Sequence, residues 1–482
     1  LKNVKKAIEF GTDGWRGVIA QDFTFDNVCV CAQAVADYLK ETGLSQPGIV
    51  IGYDTRFASE NFAEASAEVI TGNGIKVYLC DKTTPTPVVS FGILAQKAGG
   101  GIVITASHNP PQWNGFKFKN NTGSSASPEV TAKIEKNIDR IVKQGEIARK
   151  PVNLAVNEGL LEYVNLDKIY FKQLSKLVDL DEIRKAKLRI AIDSMYGAGC
   201  GYFRRLLGGG AIELIEINNV RNPIFPGITQ PEPIGANLSQ LGSTVKKEKA
   251  DAGLATDGDA DRLGVIDENG NFISTSHIFA LLCLYLLEVR GERGPLIKTL
   301  TISSMLYSLG ELFNVPVYET RVGFKYVAPK MQTENALAGG EESGGYGFRN
   351  HVAERDGILA GLYFIDLMIK TGKLPSQLID YLHSKVGPHY YGRIDIEFEE
   401  NYRKAIIDTV SSYSPKAIGE ITLSGKDSKD GFRFMLADRS WFLIRFSSTE
   451  PLLRLYAEGH SKKQVDLLLE TAQKLVESVR GK

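Results

Sequence analysis

Gly101-Ile102-Val103-Ile104-Thr105-Ala106-Ser107-His108-Asn109-Pro110-Pro111 reads as a short strand, apolar on both faces, that runs straight into a polar loop. A strand of that kind is buried on both sides, as in a parallel or mixed sheet covered by helices. The sequence around it agrees. Upstream, Phe25, Val28, Ala32, Val35, Ala36 and Leu39 recur at helical spacing until Gly43 stops the helix. The strand Ile49-Val50-Ile51, a helix around Phe62 to Ile70 and the strand Lys76 to Cys80 follow.

The same grammar restarts twice. Leu188 to Ile192 is a strand, followed by a Gly-rich turn, a helix, the strand Ile212 to Ile217 and later Ala252-Gly253-Leu254-Ala255. The third round has a helix over Ile278 to Val289, a strand over Leu296 to Ile302, another helix, Val315 to Tyr318, and a last apolar run at Ala336 to Ala338. Each round ends with a strand feeding a polar, Gly- or Asp-rich loop. Ligands bind at the carboxyl ends of strands in open α/β sheets, so three such loops could line one cleft. After Gly387-Pro388, Ile394, Ile396 and Phe398 alternate with charged residues, and Val465 to Val479 form an amphipathic final helix. This is a fourth, smaller α+β domain. Residues 140–165 read as a linker helix into the second round.

With 482 residues, 43% hydrophobic and 24% charged, the chain has the composition of a globular protein of roughly three domains, not of a disordered or fibrous one. Fifty-seven Lys and Arg balance 57 Asp and Glu. A nucleic-acid or membrane-surface protein would carry a basic excess, so neither partner is expected. Five cysteines with no CxxC pair offer no disulfide framework or zinc site, which suits a cytoplasmic home. The apolar run Ile278 to Leu287 is too short to span a bilayer, and the lysine-bearing start has no apolar signal segment.

Four segments carry chemistry. Ser107 is projected at a strand end by a loop that Asn109-Pro110-Pro111 makes rigid, so it can serve as a nucleophile or phosphate carrier; the plain alternative is an ordinary turn with an exposed serine. His108 beside it is a catalytic candidate or an imidazole bonded to loop backbone. Asp257-Gly258-Asp259-Ala260-Asp261-Arg262 sets three carboxylates at i, i+2 and i+4, costly to pack without a divalent ion. An EF-hand fails here, because Arg262 stands where its sixth-position Gly belongs and both flanks read as strands. Magnesium with a phosphate completing its shell fits best. Gly339-Gly340-Glu341-Glu342-Ser343-Gly344-Gly345 offers close backbone approach with acceptors and a donor for sugar hydroxyls. Arg445-Phe446-Ser447-Ser448-Thr449-Glu450-Pro451 combines a guanidinium and three hydroxyls, suited to a phosphate. Gly197 to Gly201 is only a tight turn, since Tyr202 replaces the third Gly of a dinucleotide fingerprint, and no P-loop run exists.

Together these residues resemble the α-D-phosphohexomutases, the phosphoglucomutase and phosphomannomutase family. Gly11-Thr12-Asp13-Gly14-Trp15-Arg16-Gly17, Asn114-Gly115-Phe116-Lys117 and Thr320-Arg321-Val322-Gly323-Phe324-Lys325 add to the likeness, in the family's order over residues 11 to 451. The resemblance implies three related α/β/α mixed-sheet domains (1–158, 159–270, 271–387) and a smaller C-terminal domain (388–482) around a central cleft. It implies phosphorylation of Ser107, Mg²⁺ held by Asp257, Asp259, Asp261 and a phosphoserine oxygen, and sugar hydroxyls read by Glu341 and Ser343. Arg445, Ser447, Ser448 and Thr449 would hold the non-reacting phosphate. Arg16, Lys117 and Arg262 would surround the transferred group, with Lys117 moving a proton, and Gly323 and Lys325 would line the cleft. The substrate would be a hexose phosphate, with glucose 1,6-bisphosphate as activator, turned over by a monomer or dimer. Two departures stand out: Ala260 replaces a frequent Gly, and Gly345 stands where some members have His, leaving His351 as a substitute base. The Glu341-Glu342 pair points to a phosphoglucomutase.

Overall fold

The computed structural model describes residues 8–11, 13–447 and 452–480. Three of its sheets repeat one plan. In the first, the order is Trp15–Val18, Trp113–Lys119, Gly101–Ile104, Ile49–Tyr53, Val77–Cys80, Leu161–Val164. The last four strands are parallel, and Trp113–Lys119 returns antiparallel beside Gly101–Ile104. In the second, Arg189–Asp193, Glu213–Ile217 and Ala252–Thr256 are parallel and Leu263–Ile266 returns antiparallel beside Ala252–Thr256. In the third, Leu296–Thr299, Val317–Thr320 and Ala338–Gly340 are parallel and Tyr346–Phe348 returns beside Ala338–Gly340. The loops 105–112, 257–262 and 341–345 therefore occupy the same place three times, between a buried parallel strand and its antiparallel neighbour. That recurrence is the architectural repeat expected from the sequence.

Two local expectations change. Residues 140–165 are not a linker helix: the helix Pro128–Gln144 ends there, Val152–Asn157 makes a short helix, and Leu161–Val164 joins the first sheet beside Val77–Cys80. The first domain thus runs past residue 158, because Leu161 and Val164 bury where the intervening residues face water. The third site strand lies at Ala338–Gly340, not 336–338. Its glycines give no β signal, but they admit Met331 and Phe279, which a Cβ at Gly339 or Gly340 would strike.

The C-terminal domain is an antiparallel sheet ordered Tyr390–Glu397, Leu452–Gly459, Trp441–Phe446, Phe432–Leu436, Ile421–Asp427, Ala417–Ile418. Helices Arg403–Ser412 and Lys462–Arg480 pack on it around a separate core that includes Phe434, Phe442, Leu455, Leu468 and Val476. One continuous core, by contrast, runs from Val50 and Val88 through Ile190 to Ile278 and Phe364, fusing the first three domains. Among the described residues, only the small apolar cluster of Leu300, Trp441, Leu443 and Tyr456 extends from the third domain into the fourth. All five cysteines are free. Among the described residues, no helix is long and apolar enough to cross a membrane.

Candidate active site

Ser107 sits in the first of the three equivalent loops, buried, with φ of +51°, in the left-handed region that side-chain-bearing residues avoid. Its hydroxyl donates to Asp257 Oδ2 at 2.8 Å, and His108 Nδ1 lies 3.4 Å from the same hydroxyl oxygen. Burial, then the cations Arg262, Arg16 and Lys117, hold the His108 imidazole well below its usual range, so it is neutral at neutral pH. Gly258 passes so close that a Cβ there would stand 2.4 Å from the Ser107 carbonyl oxygen. Arg16, on the first strand, donates to Asn109 Oδ1 at 2.5 Å and so braces the far side of the loop.

The second loop brings its carboxylates together. One oxygen from each of Asp257, Asp259 and Asp261 lies within 4.8 Å of the others, and all three residues are fully buried. Asp257 Oδ1 accepts from the backbone N–H of Asp261 (2.9 Å) and of Arg262 (3.1 Å), which curls the loop inward. Asp259 Oδ2 accepts from Thr86 Oγ1 (2.6 Å) and Lys117 Nζ (2.9 Å). Asp259 Oδ1 and Asp261 Oδ1 accept no hydrogen bond among the described residues. Burial and then the charges of Asp259 and Asp261 push Asp257 up, whereas Lys117 overcomes the effect of burial and holds Asp259 down. Converging hard oxygens with orphaned lone pairs fit a small divalent cation.

Cations enclose this triad. Lys117, 1% exposed, meets Asp13 Oδ2 at 2.7 Å and Asp261 at 3.8 Å in addition to Asp259. Burial works to lower its pKa, but Asp13, Asp259 and Asp261 together raise it, so the ammonium stays protonated. Arg355 links three domains: its Nη2 is 2.6 Å from Asp13 Oδ2 and 2.7 Å from Asp261 Oδ2, and its Nη1 is 3.3 Å from Glu341 Oε2. Arg262 pairs with Glu232 at 2.9 Å and bridges to Gly345 through its backbone. The three loops therefore converge on one buried centre of interleaved carboxylates and cations.

Relatives decide what such a centre belongs to. Residues 7–145, 168–270, 274–386 and 409–474 match, in turn, phosphoglucomutase/phosphomannomutase alpha/beta/alpha domains I, II and III and the C-terminal domain. A phosphoglucomutase/phosphomannomutase of Thermococcus kodakarensis is 32% identical over 97% of this chain and 98% of its own. The chain belongs to the α-D-phosphohexomutase family. A "Probable phosphoglucosamine mutase" of Pyrococcus abyssi is also 32% identical over 97% of each chain. A crystal structure from Thermus thermophilus, provisionally described as a phosphomannomutase, superposes with a TM-score of 0.85 at 35% identity, covering 98% of this chain and 99% of that one. The protein is accordingly an isomerase of the phosphohexomutase type.

The remaining candidate residues of this phosphohexomutase lie farther out. Lys325, at the start of the helix Phe324–Glu334 after Gly323, donates to the Gly11 carbonyl at 3.3 Å. Arg445 Nε donates to Asp430 Oδ1 at 3.0 Å, and Asp430 Oδ2 accepts from Val322 N–H at 2.9 Å. Ser447 is buried at the end of the strand Trp441–Phe446; Ser448 and Thr449 lie outside the described residues. Ser343 is half-buried in the third loop, where Glu341 is raised by burial. Glu342 faces the C-terminal domain instead, 3.6 Å from Arg393. His351 Nε2 is 2.9 Å from Asp356, the N-cap of helix Gly357–Thr371, and its ring stacks on Phe91. Sequence reading missed Arg355, Glu354, Lys119 and Arg56. Three buried charged residues in the run Glu354-Arg355-Asp356 before an apolar helix were the available signal.

Proposed function

We propose that this phosphohexomutase is a phosphoglucomutase that interconverts glucose 1-phosphate and glucose 6-phosphate through phosphorylated Ser107 and a glucose 1,6-bisphosphate. The observation that carries this reading is the Ser107 hydroxyl 2.8 Å from Asp257, at the edge of the acidic triad. Its side chain would carry the phosphoryl group, whose bond to Oγ breaks as a bond to a sugar hydroxyl oxygen forms. Bisphosphate reversal then returns the other phosphate to Oγ. Asp257, Asp259 and Asp261 would hold Mg²⁺, which when bound neutralises phosphate charge as it develops. Arg16 and Arg262 would steady the phosphoryl oxygens; protonated Lys117 would give Oγ its proton as the phosphate leaves and take it back on the return transfer, while the proton lost by the attacking sugar hydroxyl would be carried on a phosphate oxygen and regained by the sugar oxygen that later gives up its phosphate. Neutral His108 would orient the hydroxyl. Glu341 and Ser343 would take sugar hydroxyls, and Arg445, Ser447, Ser448 and Thr449 the distal phosphate.

The test is turnover of glucose 1-phosphate with magnesium and a trace of glucose 1,6-bisphosphate, beside mannose 1-phosphate and glucosamine 1-phosphate. Fastest conversion of the glucose compound is expected. The names of the similar proteins favour a second reading, a phosphomannomutase or phosphoglucosamine mutase, which preference for another sugar would establish. Failure with all three, from protein carrying phosphate on Ser107, would point to a hexose-bisphosphate synthase or a sugar-phosphate sensor. Ser107→Ala is expected to fold and be inactive; full activity would remove the phosphoserine mechanism.

A further inference from the structure

We infer that Arg56 is the positioning residue that holds Ser107 in its reactive geometry and ties that geometry to the second domain. The inference rests on the phosphoserine reading above. Arg56 is 0% exposed and follows the strand Ile49–Tyr53. Its guanidinium donates to four backbone carbonyls, three in the serine loop, Ser107 (2.7 Å), Asn109 (2.6 Å) and Pro110 (2.9 Å), and one at the start of the strand that follows it, Trp113 (3.0 Å). Nε faces Asp54 Oδ2 at 3.2 Å, and Asp54 Oδ1 is fixed in turn by Arg56 N–H and Ser59 Oγ, each at 2.9 Å.

Burying a guanidinium and its carboxylate is a poor way to gain stability, because desolvation offsets most of the attraction and apolar filling does as well. Fixed geometry is what the arrangement gives. Ser107 needs that restraint: its left-handed backbone is disfavoured, and turning φ back to a negative value would swing the peptide that follows out of place. Arg56 grips the carbonyl of that peptide on one side, and the close-packed Gly258 of the metal loop blocks it on the other. Oγ is thereby kept on Asp257.

The grip reaches the second domain. Phe225 lies under the Arg56 guanidinium, 5.1 Å from centroid to Cζ. Arg221 of the same segment donates to the Thr55 carbonyl at 3.2 Å and the Arg56 carbonyl at 3.4 Å, and pairs with Glu60 at 2.5 Å. A shift of the second domain would be felt at Arg56 as well as at Ser107, which meets Asp257 and Gly258 of that domain directly.

Arg56→Lys tests this. Lysine keeps the charge beside Asp54 but cannot span four carbonyls. It is expected to fold with KM for glucose 1-phosphate within about threefold of the parent and kcat down by about 10²-fold. Single-turnover transfer of phosphate from glucose 1,6-bisphosphate to Ser107, followed by intact mass, should slow equally. A purely structural role would lower the melting temperature and the active fraction but leave that rate unchanged in the folded protein, and this result would overturn the inference. A loss borne by KM would overturn it too. Should the lysine variant not fold, Asp54→Asn, which leaves the guanidinium but loosens its anchor, is expected to lower the same rate by about tenfold; no change would sink the idea. Ser107→Ala runs in parallel. If that variant is active, the phosphoserine reading fails; if it is inactive and Arg56→Lys transfers normally, only the role of Arg56 fails.

Discussion

Gly345 and Arg355 are spatial complements: a Cβ on Gly345 would stand 2.2 Å from Arg355 Cδ. Arg355 uses the space so left to reach Asp13, Asp261 and Glu341. This explains the departure noticed at position 345. A side chain there, histidine included, cannot coexist with the guanidinium where it lies. Gly345→Ala is therefore expected to displace Arg355 and lower kcat by about 10²-fold, with the fold intact by circular dichroism. Parent-like turnover from the alanine variant would show that the contacts of Arg355 do not matter to the reaction.

The second departure has the opposite sign. Ala260 holds φ of +57° at the turn of the metal loop, where an L side chain is strained. Ala260→Gly removes that strain but adds backbone freedom to the unfolded chain, for a net gain of about 0.5–1 kcal/mol. A rise of about 2 °C in melting temperature with unchanged turnover is expected. A lower midpoint would mean that the packing of the Ala260 methyl outweighs the strain.

Most of the fold and the heart of the site were legible in the sequence, for a physical reason. Strands buried on both faces, such as Gly101–Ile104 and Ala252–Thr256, must be apolar throughout, and the loops they feed must be polar because they carry function. Ser107 and the three aspartates were visible because their spacing is local. Arg56 and Arg355 were not, since the site groups they hold, the Ser107 loop for one and Asp13 and Asp261 for the other, lie far off in sequence and a lone arginine in a loop normally reads as surface. Leu161–Val164 was missed because Glu162 and Tyr163 face water and leave only two buried positions to signal a strand. Glu342 entered the reading only as half of the Glu341-Glu342 pair, and its neighbour Arg393 comes from a domain too far off in sequence to be foreseen.

Glu458 is the polar pin between the third and fourth domains. It is 1% exposed and accepts from Ser303 Oγ (2.6 Å), Ser304 N–H (2.9 Å) and Trp441 Nε1 (2.6 Å), with His389 Nδ1 at 2.7 Å. Glu458→Gln turns an amide NH₂ toward groups that donate, which costs about 3 kcal/mol if two bonds are lost. Because the fourth domain has its own core, it should loosen as a unit and not unfold with the rest. Faster proteolytic cleavage near Gly387-Pro388, with the first three domains melting as before, is the expected result. A single shifted transition would show instead that all four domains unfold together.

Glu319 makes the same junction sensitive to acid. It accepts a bidentate pair of bonds from Arg433, both 2.6 Å, across the domain boundary, and Lys298 lies 3.0 Å away. Burial alone would raise its pKa, but Lys298 and Arg433 outweigh burial and pull it from an ordinary 4.5 to about 2. Lys298 is itself lowered by burial and by the charge of Arg433, so the bidentate Arg433 contact is the firmer part of the cluster. A carboxylate depressed in the folded state stabilises it above pH 4.5, and that contribution is lost as pH falls from 4.5 through about 2. The shift corresponds to about 3 kcal/mol across the window. Calorimetry from about pH 6 down to about pH 3 should show the transition of the fourth domain moving to lower temperature faster than that of the other three. Other carboxylates titrate in the same range, so the comparison is with Glu319→Gln, which should be less stable near neutral pH and show a flatter acid profile. An acid profile in the glutamine variant as steep as the parent's would place the sensitive group elsewhere.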